Sequence, residues 1–203
     1  PLEKYSIDSL SNTNFKPSKV NINGDIFDFK VEDKKVTGLI NIPEGKGPFP
    51  MVILIRGYVD QTLYQTGVGT KRVGEYFKDA GYITLAPDFL GYGGSDIESS
   101  NIFESRFQTY TTVLTLLESV NKENFPGWDG KNVFIWAHSN GGQIALTVLE
   151  VTGENYPTVL WAPVTEAFPY SVLYYTNESE DGGKFIRERL AKFEEDYDAS
   201  KFS

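Results

Sequence analysis

Ser139 is the residue whose surroundings most plainly suggest chemistry. It stands in Ala137-His138-Ser139-Asn140-Gly141-Gly142, with a small residue two places before it and glycines two and three places after. The apolar run Val133 to Ala137 reads as a buried strand, and Asn140 to about Val151 reads as a helix. A chain that passes from strand to helix within a few residues has room only for small side chains on either side of the turn. Such a turn lifts the serine Oγ clear of the sheet. It also aims the free N–H groups of the helix N-terminus at the place where an oxyanion would form. This is equipment for acyl transfer, with Ser139 as the nucleophile and the Asn140 N–H as the first oxyanion donor. A Ser-Asn-Gly-Gly string by itself is often only a turn or a helix cap. The strand before it and the helix after it are what give it weight.

His138 is the sole histidine. A general base must reach the serine oxygen at about 2.6–3.2 Å, and the turn points adjacent side chains apart, so His138 is not expected to be that base. With one histidine and no cysteine the chain offers no zinc-ligand set. A carboxylate-only calcium site is left open, although no loop has calcium-ligand spacing. No metal and no cofactor are expected. The absence of cysteine also excludes disulfides and thiolate chemistry, and is compatible with either redox compartment.

The elements that must hold Ser139 follow from the apolar pattern. The chain has 203 residues, 40% hydrophobic and 23% charged, which is globular composition with enough length for one real core. Residues 1–18 are polar and aperiodic and read as an N-terminal arm, with the core over 19–163. Asp25 to Val31 and Lys35 to Ile42 read as a hairpin turning at Glu32 to Lys34. Met51 to Ile55 and Tyr82 to Ala86 are continuous apolar runs, as expected of strands buried on both faces. Between them Thr70 to Ala80 reads as a helix closed by Gly81. A second helix spans about Phe103 to Val120, where Phe107, Tyr110, Thr111, Leu114 and Leu117 recur at spacings of three and four. Trp128 to Lys131 reads as a turn around Asp129-Gly130, and Thr158 to Ala162 as the last clear strand. Beyond Pro163 the character changes to aromatic, then acidic, then helical and charged, and 164–203 reads as the start of a cap.

Strands alternating with helices imply an α/β fold, a mostly parallel sheet with helices on both faces and an antiparallel hairpin at one edge. Ligands in such sheets lie at the carboxyl ends of the strands, so functional residues are expected just after Ile55, Ala86, Ala137 and Ala162. Net charge is -9, which leaves no positive field for a nucleic-acid partner. No apolar run is long enough to span a membrane, and no secretory leader is visible. The first residue is Pro1 rather than Met, so an upstream portion is expected to be missing.

Three segments fall in a telling order. They are Pro50-Met-Val-Ile-Leu-Ile-Arg-Gly-Tyr58, then Gly81-Tyr-Ile-Thr-Leu-Ala-Pro-Asp-Phe-Leu-Gly-Tyr-Gly-Gly-Ser95, then Trp136-Ala-His-Ser-Asn-Gly-Gly142. Together they make the stretch from about Ile26 to Pro163 resemble the α/β-hydrolases, nearest to the prolyl-oligopeptidase and dienelactone-hydrolase branch. The resemblance implies that Ser139 is the nucleophile and that Asn140 and Tyr58 supply the oxyanion hole. Tyr58 would act through its backbone N–H, or through its hydroxyl as in some members. Arg56 stands where many relatives have histidine. It either binds a substrate carboxylate or pairs with an acid such as Asp88, the latter being preferred. Asp88 itself is expected to shape its loop rather than to act as the catalytic acid. Phe168, Tyr170, Tyr174 and Tyr175 either line a substrate pocket or form the core of the cap. The acidic runs Glu178 to Asp181 and Glu194 to Asp198 are expected to be solvated surface.

The resemblance further implies a triad in the chain order serine, acid, histidine. No histidine follows Ser139, and Thr158 to Ala162 resembles the sixth of the family's eight strands. The expectation is therefore an incomplete enzyme. A C-terminal segment of about 70 to 100 residues, or a second chain, would complete the sheet and supply the missing triad members. Hydrolysis of a small-molecule ester is favoured over a peptidase of the prolyl-oligopeptidase type, whose large access-restricting domain is not visible. A non-catalytic binding protein on the same scaffold is the remaining rival.

Overall fold

Residues Met51 to Ile55 alternate between two packed layers, and that alternation organises the molecule. In the computed structural model, which describes residues 1–122 and 125–203, they lie in the middle of a seven-stranded sheet. The strands are β1 (Asn21–Asn23), β2 (Ile26–Val31), β3 (Lys34–Asn41), β4 (Phe49–Ile55), β5 (Ile83–Pro87), β6 (Trp128–His138) and β7 (Thr158–Trp161). Their order is β1-β2-β3-β5-β4-β6-β7. The first three strands and β5 pair antiparallel, while β5, β4, β6 and β7 pair parallel. Met51, Ile53 and Ile55 face one core, which includes Phe107 and Leu114 of α3 (Ile102–Lys122) and Ile144 and Val148 of α4 (Asn140–Thr152). Val52 and Leu54 face the other, against Val73 and Phe77 of α2 (Lys71–Asp79). Side chains alternating across a strand thus serve helices on both faces.

Two expectations are corrected and one element is added. Residues 1–18 are not a free arm. A 3-10 turn at Leu2–Tyr5 and helix α1 (Ile7–Ser11) fold against the core, with Leu2, Tyr5 and Leu10 buried. Ser6 caps α1 by accepting the Ser9 N–H at 3.3 Å. Three apolar anchors in a polar stretch suffice to dock it, although they are too few to register as periodicity. The turn at Trp128 to Lys131 lies inside β6, not before it. Trp128 pairs with Phe49 and Val133 with Met51, so Asp129 to Asn132 form a bulge. Asp129 Oδ1 accepts the N–H groups of Lys131 and Asn132 at 2.9 and 2.8 Å, which is the chemistry that suggested a turn. A short edge strand, β1, is the third difference. It is only three residues long and all of them are exposed, too little for its single apolar Ile22 to mark a strand.

Where the sequence suggests the start of a cap, the structure ties residues 164–203 to α3. This segment holds α5 (Tyr170–Thr176), α6 (Lys184–Glu194) and a 3-10 turn at Ala199–Phe202. Phe168, Phe193 and Phe202 are buried. The Phe107 ring stacks on Phe202 at 5.0 Å, and Phe103 meets Phe193 at 5.2 Å. Among the described residues no strand follows β7, which forms the sheet edge with Val159 and Trp161 53% and 64% exposed. No described helix is long and apolar enough to cross a membrane.

Candidate active site

The four parallel strands end at one edge of the sheet, and the residues that follow them meet there. Ser139 follows β6 directly and takes φ 51 and ψ -123 before α4 begins. A non-glycine residue at positive φ costs about 1–3 kcal/mol and persists only where its surroundings impose it. Here the surroundings are backbone. The Ser139 N–H donates to Trp161 O at 3.2 Å, and the Ser139 carbonyl accepts from Gly142 and Val164 at 2.9 and 2.8 Å. The turn packs so closely on β4 that a Cβ on Gly141 would run into the Ile55 carbonyl oxygen and lie 2.6 Å from that of Arg56. Gly142 is pressed in the same way on Pro163, and Gly57 lies under Ser139, 2.9 Å from its Cβ to where a Cβ would stand. The small residues flanking the serine are therefore a steric requirement of this fold.

Ser139 and Asn140 are half-buried. As the first residue of α4, Asn140 has an N–H without an intrahelical acceptor, free to meet an anion. Tyr58 follows Gly57 on the opposite loop, its side chain 75% exposed. Tyr58 and Asn140 line one cleft of about 530 Å³, together with Arg56, Tyr92, Arg106 and Ile144. Two of the expected site residues are thus brought together beside Ser139, which borders the cleft without lining it. Tyr174 and Tyr175 are not brought there. They are exposed on α5 and line a separate groove with Tyr170, Leu173 and Arg187. Phe168 is core, so the four aromatics divide between two roles. Glu178 to Asp181 and Glu194 to Asp196 are exposed.

Arg56 does not pair with the Asp88 carboxylate, contrary to the preferred expectation. Its Nη atoms donate to the backbone carbonyls of Gly57 and Asp88, each at 2.9 Å. Its guanidinium is enclosed by the Tyr64, Phe89 and Tyr92 rings at 4.6, 5.3 and 4.0 Å. The carboxylate is already engaged. Asp88 is fully buried and accepts from Thr37 Oγ1 at 2.6 Å, Tyr64 OH at 2.6 Å and Thr66 Oγ1 at 2.8 Å. Burial, and then the bond to Asp88, push the Tyr64 phenol well above the usual tyrosine range. This network fixes the loop after β5, in keeping with a loop-shaping role for Asp88. Asp88→Ala strands three hydroxyl groups and is expected to cost about 3 kcal/mol. The measurement is the urea midpoint, and an unchanged midpoint would mean that the network does not hold the loop.

Arg106 was not singled out by its sequence context. It falls on the buried face of α3, in register with Phe103, Tyr110, Val113 and Leu117, and a charged residue in that apolar stripe is the signal that could have found it. Its Nη2 donates to Gln143 Oε1 at 3.0 Å and to Ser171 Oγ at 2.9 Å, and its Nη1 to Asn140 Oδ1 at 3.5 Å. Among the described residues no group of three or more histidine, cysteine, aspartate or glutamate side chains is placed to hold a metal.

A mixed sheet of this order, with a serine on a tight turn between a parallel strand and a helix, defines an α/β-hydrolase. The family model described as serine aminopeptidase, S33 (Hydrolase_4) matches residues 50–190, and the chain belongs to that family. This match does not support the prolyl-oligopeptidase branch. Solved structures agree on the fold. Acetyl xylan esterase 1 from Thermoanaerobacterium sp. JW/SL YS485 is 15% identical, with a TM-score of 0.63 over 100% of this chain and 76% of its own. Acetyl xylan esterase from Paenibacillus sp. R4 is 18% identical, with a TM-score of 0.61 over 94% of this chain and 66% of its own. The α/β hydrolase GrgF from Penicillium sp. sh18 is 16% identical, with a TM-score of 0.55 over 84% and 65%. This chain spans between 38% and 76% of the length of such structures. No curated protein sequence matches it.

Proposed function

We propose that this protein is a serine hydrolase that cleaves carboxylic esters through an acyl-enzyme on Ser139. The observation that carries the reading is the backbone of Ser139, held at φ 51 between β6 and α4 beside a cleft lined by Asn140 and Tyr58. Ser139 Oγ attacks the ester carbonyl while a histidine takes its proton. The Asn140 and Tyr58 N–H groups hold the oxyanion. Collapse expels the alcohol, which receives the proton, and water then releases the acid by the same steps in reverse. The histidine and its acid partner come from polypeptide outside residues 1–203, either a C-terminal segment or a second chain. Two features support this. No histidine follows Ser139. The β7 edge also leaves Val159 and Trp161 exposed, an unpaired apolar edge of the kind that proteins normally cover.

The name of the matching family favours one second reading, hydrolysis of an N-terminal peptide bond at the same serine. Fluorophosphonate labelling tests what the two readings share. The full-length protein is expected to be labelled at Ser139 and on no other serine, because only an activated serine reacts. An unlabelled Ser139 in folded full-length protein would leave a binding protein on a hydrolase scaffold. Turnover of short aryl esters, set against aminoacyl arylamides, separates esterase from aminopeptidase.

A further inference from the structure

The cleft beside Ser139 holds two guanidinium groups, and among the described residues no carboxylate lies within ion-pair distance of either. Arg56 is 5% exposed, and its Nε has no hydrogen-bond partner. Arg106 is half-buried, its Nε is likewise unpartnered, and its other bonds go to neutral acceptors on Asn140, Gln143 and Ser171. No described carboxylate forms an ion pair with either arginine. The chain has 28 acidic and 19 basic residues, so this is not for want of acids. Two acids, Asp60 and Glu98, do line the same cleft, but neither forms an ion pair with an arginine, and both bond to neutral donors. Asp60 accepts from the Thr62 N–H at 2.8 Å, and Glu98 from Gln61 Nε2 at 2.6 Å.

Taking a charge out of water without a partner is costly, and the cost is recovered when an opposite charge arrives. We propose that this cleft binds a carboxylate carried on the acyl part of the substrate, with the Arg106 guanidinium as its recognition group. The inference rests on the ester reading above and deepens it. A guanidinium matches the planar carboxylate in shape as well as charge. The Arg106 Nη1 makes only the long 3.5 Å contact to Asn140 Oδ1, so that corner of the group is the one free to exchange partners. Asn140 is the residue next to Ser139. A carboxylate on Arg106 therefore lies one short acyl chain away from the carbonyl under attack, which describes half-esters of small dicarboxylic acids.

The test compares 4-nitrophenyl hemisuccinate with 4-nitrophenyl butyrate, matched in chain length, on the full-length enzyme and its Arg106→Gln variant. The wild type is expected to favour the hemisuccinate in kcat/KM by about tenfold or more, and Arg106→Gln to lose most of that preference. If Arg106 only braces α3 against α4 and α5, both esters decline together and the ratio stays put, which overturns the proposal. Absence of preference in a wild type that turns over butyrate through Ser139 overturns it too, and leaves the esterase reading standing. If neither ester is turned over and Ser139 is not labelled, the esterase reading fails. Calorimetric titration with succinate then decides the anion site by itself. Binding that is lost in Arg106→Gln upholds it, and no binding to the wild type ends it.

Discussion

Ser139→Ala is expected to lower kcat/KM of the full-length enzyme on a short aryl ester by about four orders of magnitude, with thermal unfolding unchanged. The first half follows from the proposed mechanism, in which without Oγ no acyl-enzyme would form and only the proposed oxyanion donors and substrate binding would remain to assist water. The second half follows from how the turn is held. Its hydrogen bonds run through the backbone of Ser139, to Trp161, Gly142 and Val164, and alanine keeps all of them. Alanine also carries the same Cβ at φ 51, so the conformational cost is the same in both proteins. Steady-state kinetics and a melting curve on the same preparations check both statements. A variant that keeps a large part of its turnover would remove Ser139 from the chemistry. A variant that loses its fold would show that the hydroxyl has a structural task.

Gly141→Val is expected to do the reverse and abolish folding rather than chemistry alone. The new Cβ would be driven into the Ile55 carbonyl oxygen and close to that of Arg56. Neither can yield, because Ile55 is paired with Ala137 in the middle of the sheet. Relief requires α4 to lift from β4, opening the core around Ile144 and Val148, at a cost above about 4 kcal/mol. That is comparable with the whole stability of many domains of this size. Gly153, the left-handed C-cap of α4, is the control, since nothing lies within 4 Å of where its Cβ would be. Gly153→Asn keeps a residue that tolerates that conformation and is expected to cost well under about 1 kcal/mol. Urea denaturation of the two variants gives the comparison. A soluble Gly141→Val protein with a wild-type midpoint would mean that helix and strand are not packed as described.

Much of the fold was legible because it depends on neighbours in sequence. Five apolar residues in a row at Met51 to Ile55 are what a strand covered on both faces requires, and the structure covers them with α2 on one side and α3 and α4 on the other. The small residues flanking Ser139 suggested a tight turn only because an apolar strand pattern precedes them and a helical pattern follows, so the turn was read from about twenty residues rather than from the motif alone. The gathering of Arg56, Asp88 and Ser139 at one edge was legible at one remove, since parallel strands end on the same side. What lay beyond reach depended on partners far apart in the chain. Leu2, Tyr5 and Leu10 look like scattered apolar residues until the core receives them. Asp88 had one acid's worth of sequence signal, and only the fold revealed that Thr37, Tyr64 and Thr66 saturate it and send Arg56 to backbone carbonyls instead. Arg106 sits in the apolar stripe of α3, but Asn140 is 34 positions away, and nothing local names the first turn of another helix as its partner. Sequence by itself determined most of the strands and where the serine is presented, because backbone sterics act over a few residues. Tertiary structure alone decided which charges surround that serine, because electrostatic partners are chosen by distance in space.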